Sequence, residues 1–208
     1  MVLLTKPSQS RIDARAKVDR LRAQEALRQR RRKLATVGVG VLVVVGVGAG
    51  VTAAIRAGGS TDVSLTGVQS FSEVRNHVQG KVNYPQTPPA GGNHSAVLLN
   101  CGIYTAAVPN ENAVHDLEHG AVWITYRPDL PSGDVARLTA FATGQSYLDL
   151  SPFPGLPAPV VVSAWGKQLR LSGAADSRLE AFVKKYSQGT QTPEPGAPCS
   201  GGVGTPNG

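Results

Sequence analysis

The run His115-Asp116-Leu117-Glu118-His119 is the densest chemistry-bearing stretch of the chain. Four of its five side chains can bind a metal ion or move a proton. On a helix, His115 and His119 stand one turn apart on one face, a spacing that lets two imidazoles share one ion. Glu118, three residues after His115, falls near the same face. His94 arrives on the Gly91-Gly92-Asn93 loop and is the natural third imidazole. His94, His115, Glu118 and His119 are therefore the candidate ligands of a transition metal, zinc or copper. Met1 is the only methionine, which excludes a Met-rich copper(I) site.

The string H-x-x-E-H also matches a peptidase motif in which both histidines bind zinc and the glutamate activates water. That reading needs a further ligand downstream, for which Glu180 is the best placed, and a substrate cleft. A short helix ended by Gly120, in a small domain, speaks against it. The plainest alternative is that these histidines only hydrogen-bond, helped by the negative end of the helix dipole, with Glu118 pairing locally. Three imidazoles beside a carboxylate, in a chain with 4 histidines, weigh toward the metal. His77 stands apart and reads as an ordinary surface or core residue. Tyr84, Tyr104, Trp123 and Trp165 read as packing rather than a ligand platform.

The elements that must position these residues are readable in outline. Val68, Phe71, Val74 and Val78 recur near a helical period and predict a helix within Leu65–Gln79. Pro85, Pro88, Pro89, Gly91 and Gly92 make Tyr84–His94 a loop that delivers His94 to a strand expected over Ser95–Tyr104. Asn110 is a candidate N-cap for a helix over Glu111–His119, stopped by Gly120. Ala121–Tyr126 is apolar on both faces, as a central strand is. A second helix is expected over Ser132–Gly144 and a Pro-rich loop over Pro152–Pro159. A buried strand follows at Val160–Trp165 and turns through Gly166 into Lys167–Leu171. Asp176–Ser187 is the clearest amphipathic helix, with Leu179, Phe182, Val183 and Tyr186 at i, i+3, i+4 and i+7. The tail after Gly189 is Pro/Gly-rich and is expected to be mostly disordered, apart from Cys199. The sum is an α+β class domain, a short sheet flanked by helices, over about residues 67–190.

Charge is unevenly placed. Residues 1–33 carry 11 Lys/Arg and 3 Asp/Glu, a balance of +8, whereas residues 57–208 carry 9 and 11, a balance of −2. The basic character belongs to an arm, not to the domain, so no nucleic-acid partner is expected. The arm reads as a cytoplasmic topology signal, with attraction to anionic lipid heads as the alternative. It leads into Leu34–Ile55, an uncharged run long enough to cross a bilayer as a helix. Arg30, Arg31, Arg32 and Lys33 before it, and only Arg56 directly after, predict a cytoplasmic N-terminus and an exported domain. A cleaved signal peptide would need unusually long n- and h-regions. The expected organisation is thus an arm (1–33), a single-pass transmembrane helix (34–56), a linker (57–66), the exported domain (67–190) and a tail (191–208).

Cys101 and Cys199, the only cysteines, fall on the exported side, which predicts a disulfide pinning the tail. Closing so long a loop is worth about 4 kcal/mol in the chain-entropy model. The alternative is thiolate ligation of copper beside His94.

The combination PPAGGNH, then GIYTAAVPNENAVHDLEHGAVWITYRP, then a later AWG resembles the bacterial family known as domain of unknown function 3105. The likeness covers roughly Val68 to Cys199. It implies an N-terminal membrane anchor and one exported domain, and it carries the family's His positions onto His94, His115 and His119 and its Glu onto Glu118. It implies no particular reaction. The residues favour a metal-binding extracytoplasmic domain. A non-catalytic module that binds another cell-envelope protein, its His/Glu cluster purely structural, is the second reading. A metal-dependent hydrolase with Glu118 as general base is the third.

Overall fold

The computed structural model describes residues 63–207. The expected arm and transmembrane span, and the linker up to residue 62, lie outside the described residues. Among the described residues no helix is long and apolar enough to cross a membrane.

Five strands and three helices form a small α+β domain. In chain order they are β1 (Gln69–Ser70), α1 (Asn110–Glu118), β2 (Val122–Tyr126), α2 (Ser132–Ala142), β3 (Leu148–Pro152), β4 (Val160–Ala164), β5 (Lys167–Leu171) and α3 (Arg178–Tyr186). The sheet order is β1-β5-β4-β2-β3. Only the β2–β3 pair is parallel, with Val122 opposite Leu148, and α2 is the crossover between them. β2 is wholly buried because both of its faces are covered. Val122, Ile124 and Tyr126 alternate into a core shared with Leu138 of α2 and Phe182 of α3. Trp123 points to the other face, into a second core with Val114 and Leu117 of α1. The period-2 alternation of a strand thus places α1 on the face opposite α2 and α3.

α1 begins one residue earlier than expected, with Pro109 rather than Asn110 at the N-cap. Glu111, in its first turn, is buried and takes the Val82 N–H at 2.9 Å and Lys81 Nζ at 3.2 Å. Gly120 ends the helix, as expected, with φ of 98°.

Three expectations are overturned. Leu65–Gln79 forms no helix. Phe71 N–H donates to Gly166 O, β1 pairs with β5, and Val74 is 59% exposed, so the apolar spacing there marks no buried stripe. Ser95–Tyr104 is not a regular strand. It wraps α1, spending its N–H groups on Glu111 O (from Ser95), on Asn112 O and Asp116 Oδ1 (from Leu99), and on Cys199 O (from Cys101). The segment after Gly189 is ordered against the domain: Leu99 bridges to Val203, and Asn207 N–H donates to Ile103 O. The Cys101–Cys199 disulfide ties this segment down across a separation of 98 residues, as expected.

Candidate metal centre

α1 and the loop before it bring His94, His115, Glu118 and His119 together. Gly91 and Gly92, both at positive φ, turn the chain sharply ahead of His94. The Tyr84 hydroxyl holds the loop by donating to Asn93 O at 2.7 Å. His94 is fully buried, edge-on to Trp165 with ring centroids 5.8 Å apart. His115 and His119 project from one face of α1, as their spacing requires, and both are buried.

Each of these three imidazoles is tethered through Nδ1 to a backbone carbonyl. His94 Nδ1–H donates to Gly92 O at 2.8 Å, His115 Nδ1–H to Ser95 O at 2.7 Å, and His119 Nδ1–H to Pro198 O at 2.6 Å. A carbonyl oxygen only accepts, so the proton sits on Nδ1, and the neutral ring then carries a lone pair on Nε2. The Nε2 atoms make two close contacts, and ligating atoms of His94, His115 and His77 lie within 4.8 Å of one another. His94 Nε2 lies 2.9 Å from Glu118 Oε2, and His115 Nε2 lies 2.9 Å from His119 Nε2. Metal-binding histidines are prepared in this way, with the far N–H fixed by a carbonyl. The His115 pKa is lowered, first by burial and then by the neighbouring imidazoles, against the Ser95 hydrogen bond that raises it. A ring held neutral is a ring ready to ligate.

His77, read from the sequence as an isolated residue, joins this site. Residues 76–78 pair with His94: Val78 N–H donates to His94 O at 2.8 Å and His94 N–H to Asn76 O at 3.1 Å. The His77 side chain is half exposed, with Nε2 3.7 Å from Glu118 Oε2. The rings of His77, His94 and His115 form a nearly equilateral triangle, with centroids 4.9, 5.0 and 5.1 Å apart. Imidazoles bound through nitrogen at about 2.1 Å to one tetrahedral ion have centroids about 5 Å apart. All 4 histidines of the chain thus meet at one place. Beside them Val78, Lys81, Ser95, Glu111 and Asn112 line an open cavity of about 390 Å³.

A protein-family model described as "Protein of unknown function (DUF3105)" matches residues 77–201. The chain belongs to the DUF3105 family. The DUF3105 match opens on His77 and closes just beyond Cys199, so it spans every histidine and both cysteines. No curated protein and no solved structure matches the chain.

Two residues bear on the alternatives. Glu180, the downstream ligand that a peptidase reading would need, is exposed on α3, and no hydrogen bond or ion pair links it to the histidines. Asp116 points away from them. Its Oδ1 accepts the Leu99 N–H at 3.1 Å, and it is buried beside Asp149 of β3. Burial first, and then the Asp149 carboxyl, push the Asp116 pKa far up. Asp149 is raised by its own burial, against a Gly102 N–H that lowers it. Burial thus favours the protonated form of both carboxyls. Nothing local in the sequence marked Asp149, because its partner is a helix residue 33 positions earlier.

Proposed function

We propose that this domain binds one divalent transition ion, zinc or copper(II), through His94, His115, His119 and Glu118, with His77 closing the solvent side. The observation that carries the reading is that ligating atoms of His77, His94 and His115 lie within 4.8 Å of one another, while His94 Nε2 and His115 Nε2 each stand 2.9 Å from a further donor, Glu118 Oε2 and His119 Nε2, with three Nδ1–H groups spent on backbone carbonyls. Two lone pairs at 2.9 Å repel unless a cation or a shared proton lies between them. The donors are nitrogen and oxygen, which suits zinc and copper(II). Both sulfurs are spent in the disulfide, so thiolate ligation of copper is dropped.

We place the domain outside the cytoplasm, held to the membrane by the apolar span 34–56. A disulfide at Cys101–Cys199 supports this, since such bonds persist in oxidising compartments. Protease added to intact cells is then expected to digest the domain.

The test is metal content. The full chain is exposed to equal zinc and copper(II), freed of excess, and its bound metal counted by mass spectrometry. One ion per chain is expected, lost in His115→Ala with the far-UV dichroism unchanged. A metal-free wild type, or full metal content in a His115→Ala/His119→Ala variant, would overturn the assignment and leave a hydrogen-bonded structural cluster.

A further inference from the structure

We propose that the Cys101–Cys199 disulfide is a redox gate on the histidine cluster, whose reduction frees the strap over residues 194–199 and weakens metal binding. The proposal rests on the metal-site reading above. The strap touches the site at three points. Pro198 O holds His119 Nδ1–H, Glu194 N–H donates to Glu118 O at 3.1 Å, and Glu194 Oε2 stands 3.7 Å from His119 Nε2. One residue beyond Pro198, Cys199 is bonded to Cys101, and its carbonyl accepts the Cys101 N–H at 2.8 Å. The link that closes the strap is therefore adjacent to the carbonyl that sets the His119 tautomer.

Apart from the disulfide, polar contacts hold that carbonyl in place. Glu194, Pro195, Gly196 and Pro198 are exposed, so no apolar burial anchors the strap. The other ties are hydrogen bonds, each modest on its own: Tyr147 Oη donates to Ala197 O at 2.9 Å, Gln188 Oε1 accepts the Gly196 N–H at 2.7 Å, and beyond Cys199 the chain pairs with residues 98–103. Both sulfurs belong to partly exposed residues, so a thiol can reach them.

The surroundings also provide for the reduced state. Asp116 Oδ2 and Asp149 Oδ2 lie 3.8 and 3.9 Å from Cys101 Sγ. Among the described residues neither carboxyl pairs with a Lys or Arg. A disulfide sulfur has no proton to give them, whereas a Cys101 thiol has one. The natural reductant is an external dithiol. It attacks one sulfur, forms a mixed disulfide and then closes on itself. The Cys101–Cys199 bond breaks, two electrons and two protons pass to the cysteines, and the dithiol leaves as a disulfide.

Zinc affinity of the full chain, read by competition with a chromophoric chelator, tests the gate. A phosphine serves as reductant, its phosphorus taking oxygen from water as the disulfide becomes two thiols. Affinity is expected to fall 10- to 100-fold on reduction, the usual effect of losing a group that orients a ligand. Cys101→Ser/Cys199→Ser is expected to bind zinc as weakly as the reduced protein and to ignore the phosphine. Nitrogen-15 spectra of the metal-free histidines separate gating from unfolding. On reduction His119 should lose its protonated-Nδ1 signature while His94 and His115, tethered elsewhere, keep theirs. Equal zinc affinity in the two redox states, or loss of all three signatures together, overturns the gate alone. An oxidised chain that binds no zinc overturns the metal-site reading, and the gate falls with it.

Discussion

The Nε2 atoms of His115 and His119 face each other 2.9 Å apart, although each ring already commits its proton to a carbonyl on the far side. A cation between these two lone pairs relieves their repulsion, and the nearby Glu118 carboxylate offsets its charge. Zinc is therefore expected to stabilise the fold strongly. At a free concentration of 1,000 Kd the linkage gain is about 4 kcal/mol, which for a domain of this size raises Tm by roughly 10 °C. His115→Ala should lose that rise. Thermal melts with and without zinc check it, and a wild-type shift near zero would contradict it.

The donors should not count equally. Glu118 is almost fully buried, with Oε2 on His94 Nε2, whereas His77 is half exposed and its Nδ1 has no carbonyl tether. Ordering His77 around an ion costs rotamer freedom that the buried ligands have already given up. Glu118→Gln, which keeps the shape and removes the charge, is expected to weaken metal binding 10- to 100-fold. His77→Ala should weaken it less than 10-fold. Titration calorimetry on both variants would show the order, and the reverse order would make His77 a principal ligand.

The parts of the fold that could be read from the sequence are those with local causes. The both-faced apolar run of β2, the β4–β5 turn at Gly166 and the amphipathic stripe of α3 are each written in neighbouring residues. So is the α1 face that unites His115 and His119. The failures are non-local. β3, Leu148 to Pro152, has little local signature, because its apolar alternation is only Leu148 and Leu150 and its parallel partner is reached through α2. His77 looks isolated in the sequence because the pairing that places it beside His94 spans 17 residues. Val68, Phe71, Val74 and Val78 imitate a helical period in a segment whose hydrogen bonds go to Gly166 and His94. Pro/Gly-rich composition hid the order of the tail, which comes from one disulfide and a ladder onto residues 98–103.

Asp116 and Asp149 predict how stability depends on pH. Burial raises both carboxyl groups above the unfolded value of about 4. The folded state then binds a proton that the unfolded state has released, so stability is full below about pH 4 and falls as pH rises through the folded value. His115 acts with the opposite sign. Its lowered pKa costs stability below the unfolded value of about 6.5 and nothing above it. Between pH 7 and 9 the carboxyl pair therefore dominates, and the metal-free wild type is expected to lose up to about 1 kcal/mol per pH unit. Asp116→Asn can still accept the Leu99 N–H and leaves only the Asp149 carboxyl to titrate, so its stability should decline less steeply. Urea unfolding at pH 7, 8 and 9 makes the comparison, and parallel declines in both proteins would place the proton elsewhere.

Gly120 is where the end of the α1 helix meets the strap. With φ of 98° it occupies a region that costs an L-residue about 1–2 kcal/mol. A methyl group here would also run into Gln188 Nε2 and come within 3.0 Å of Thr192 Cγ2. Gln188 is the tie between the two: its Nε2 donates to His119 O at 2.6 Å, and its Oε1 accepts the Gly196 N–H at 2.7 Å. Gly144, after α2, supplies the control, since its φ of 75° is also positive but nothing lies within 4 Å of an added Cβ. Gly144→Ala should carry only the backbone strain, about 1 kcal/mol, and leave metal binding alone. Gly120→Ala should cost about 2–3 kcal/mol and weaken the metal site as well, because displacing Gln188 moves the His119 carbonyl and loosens the strap. Chemical denaturation and zinc competition on the pair would decide it. Equal effects would mean that Gly120 serves the helix end alone, and a loss of zinc affinity confined to Gly120→Ala would tie the helix end to the metal.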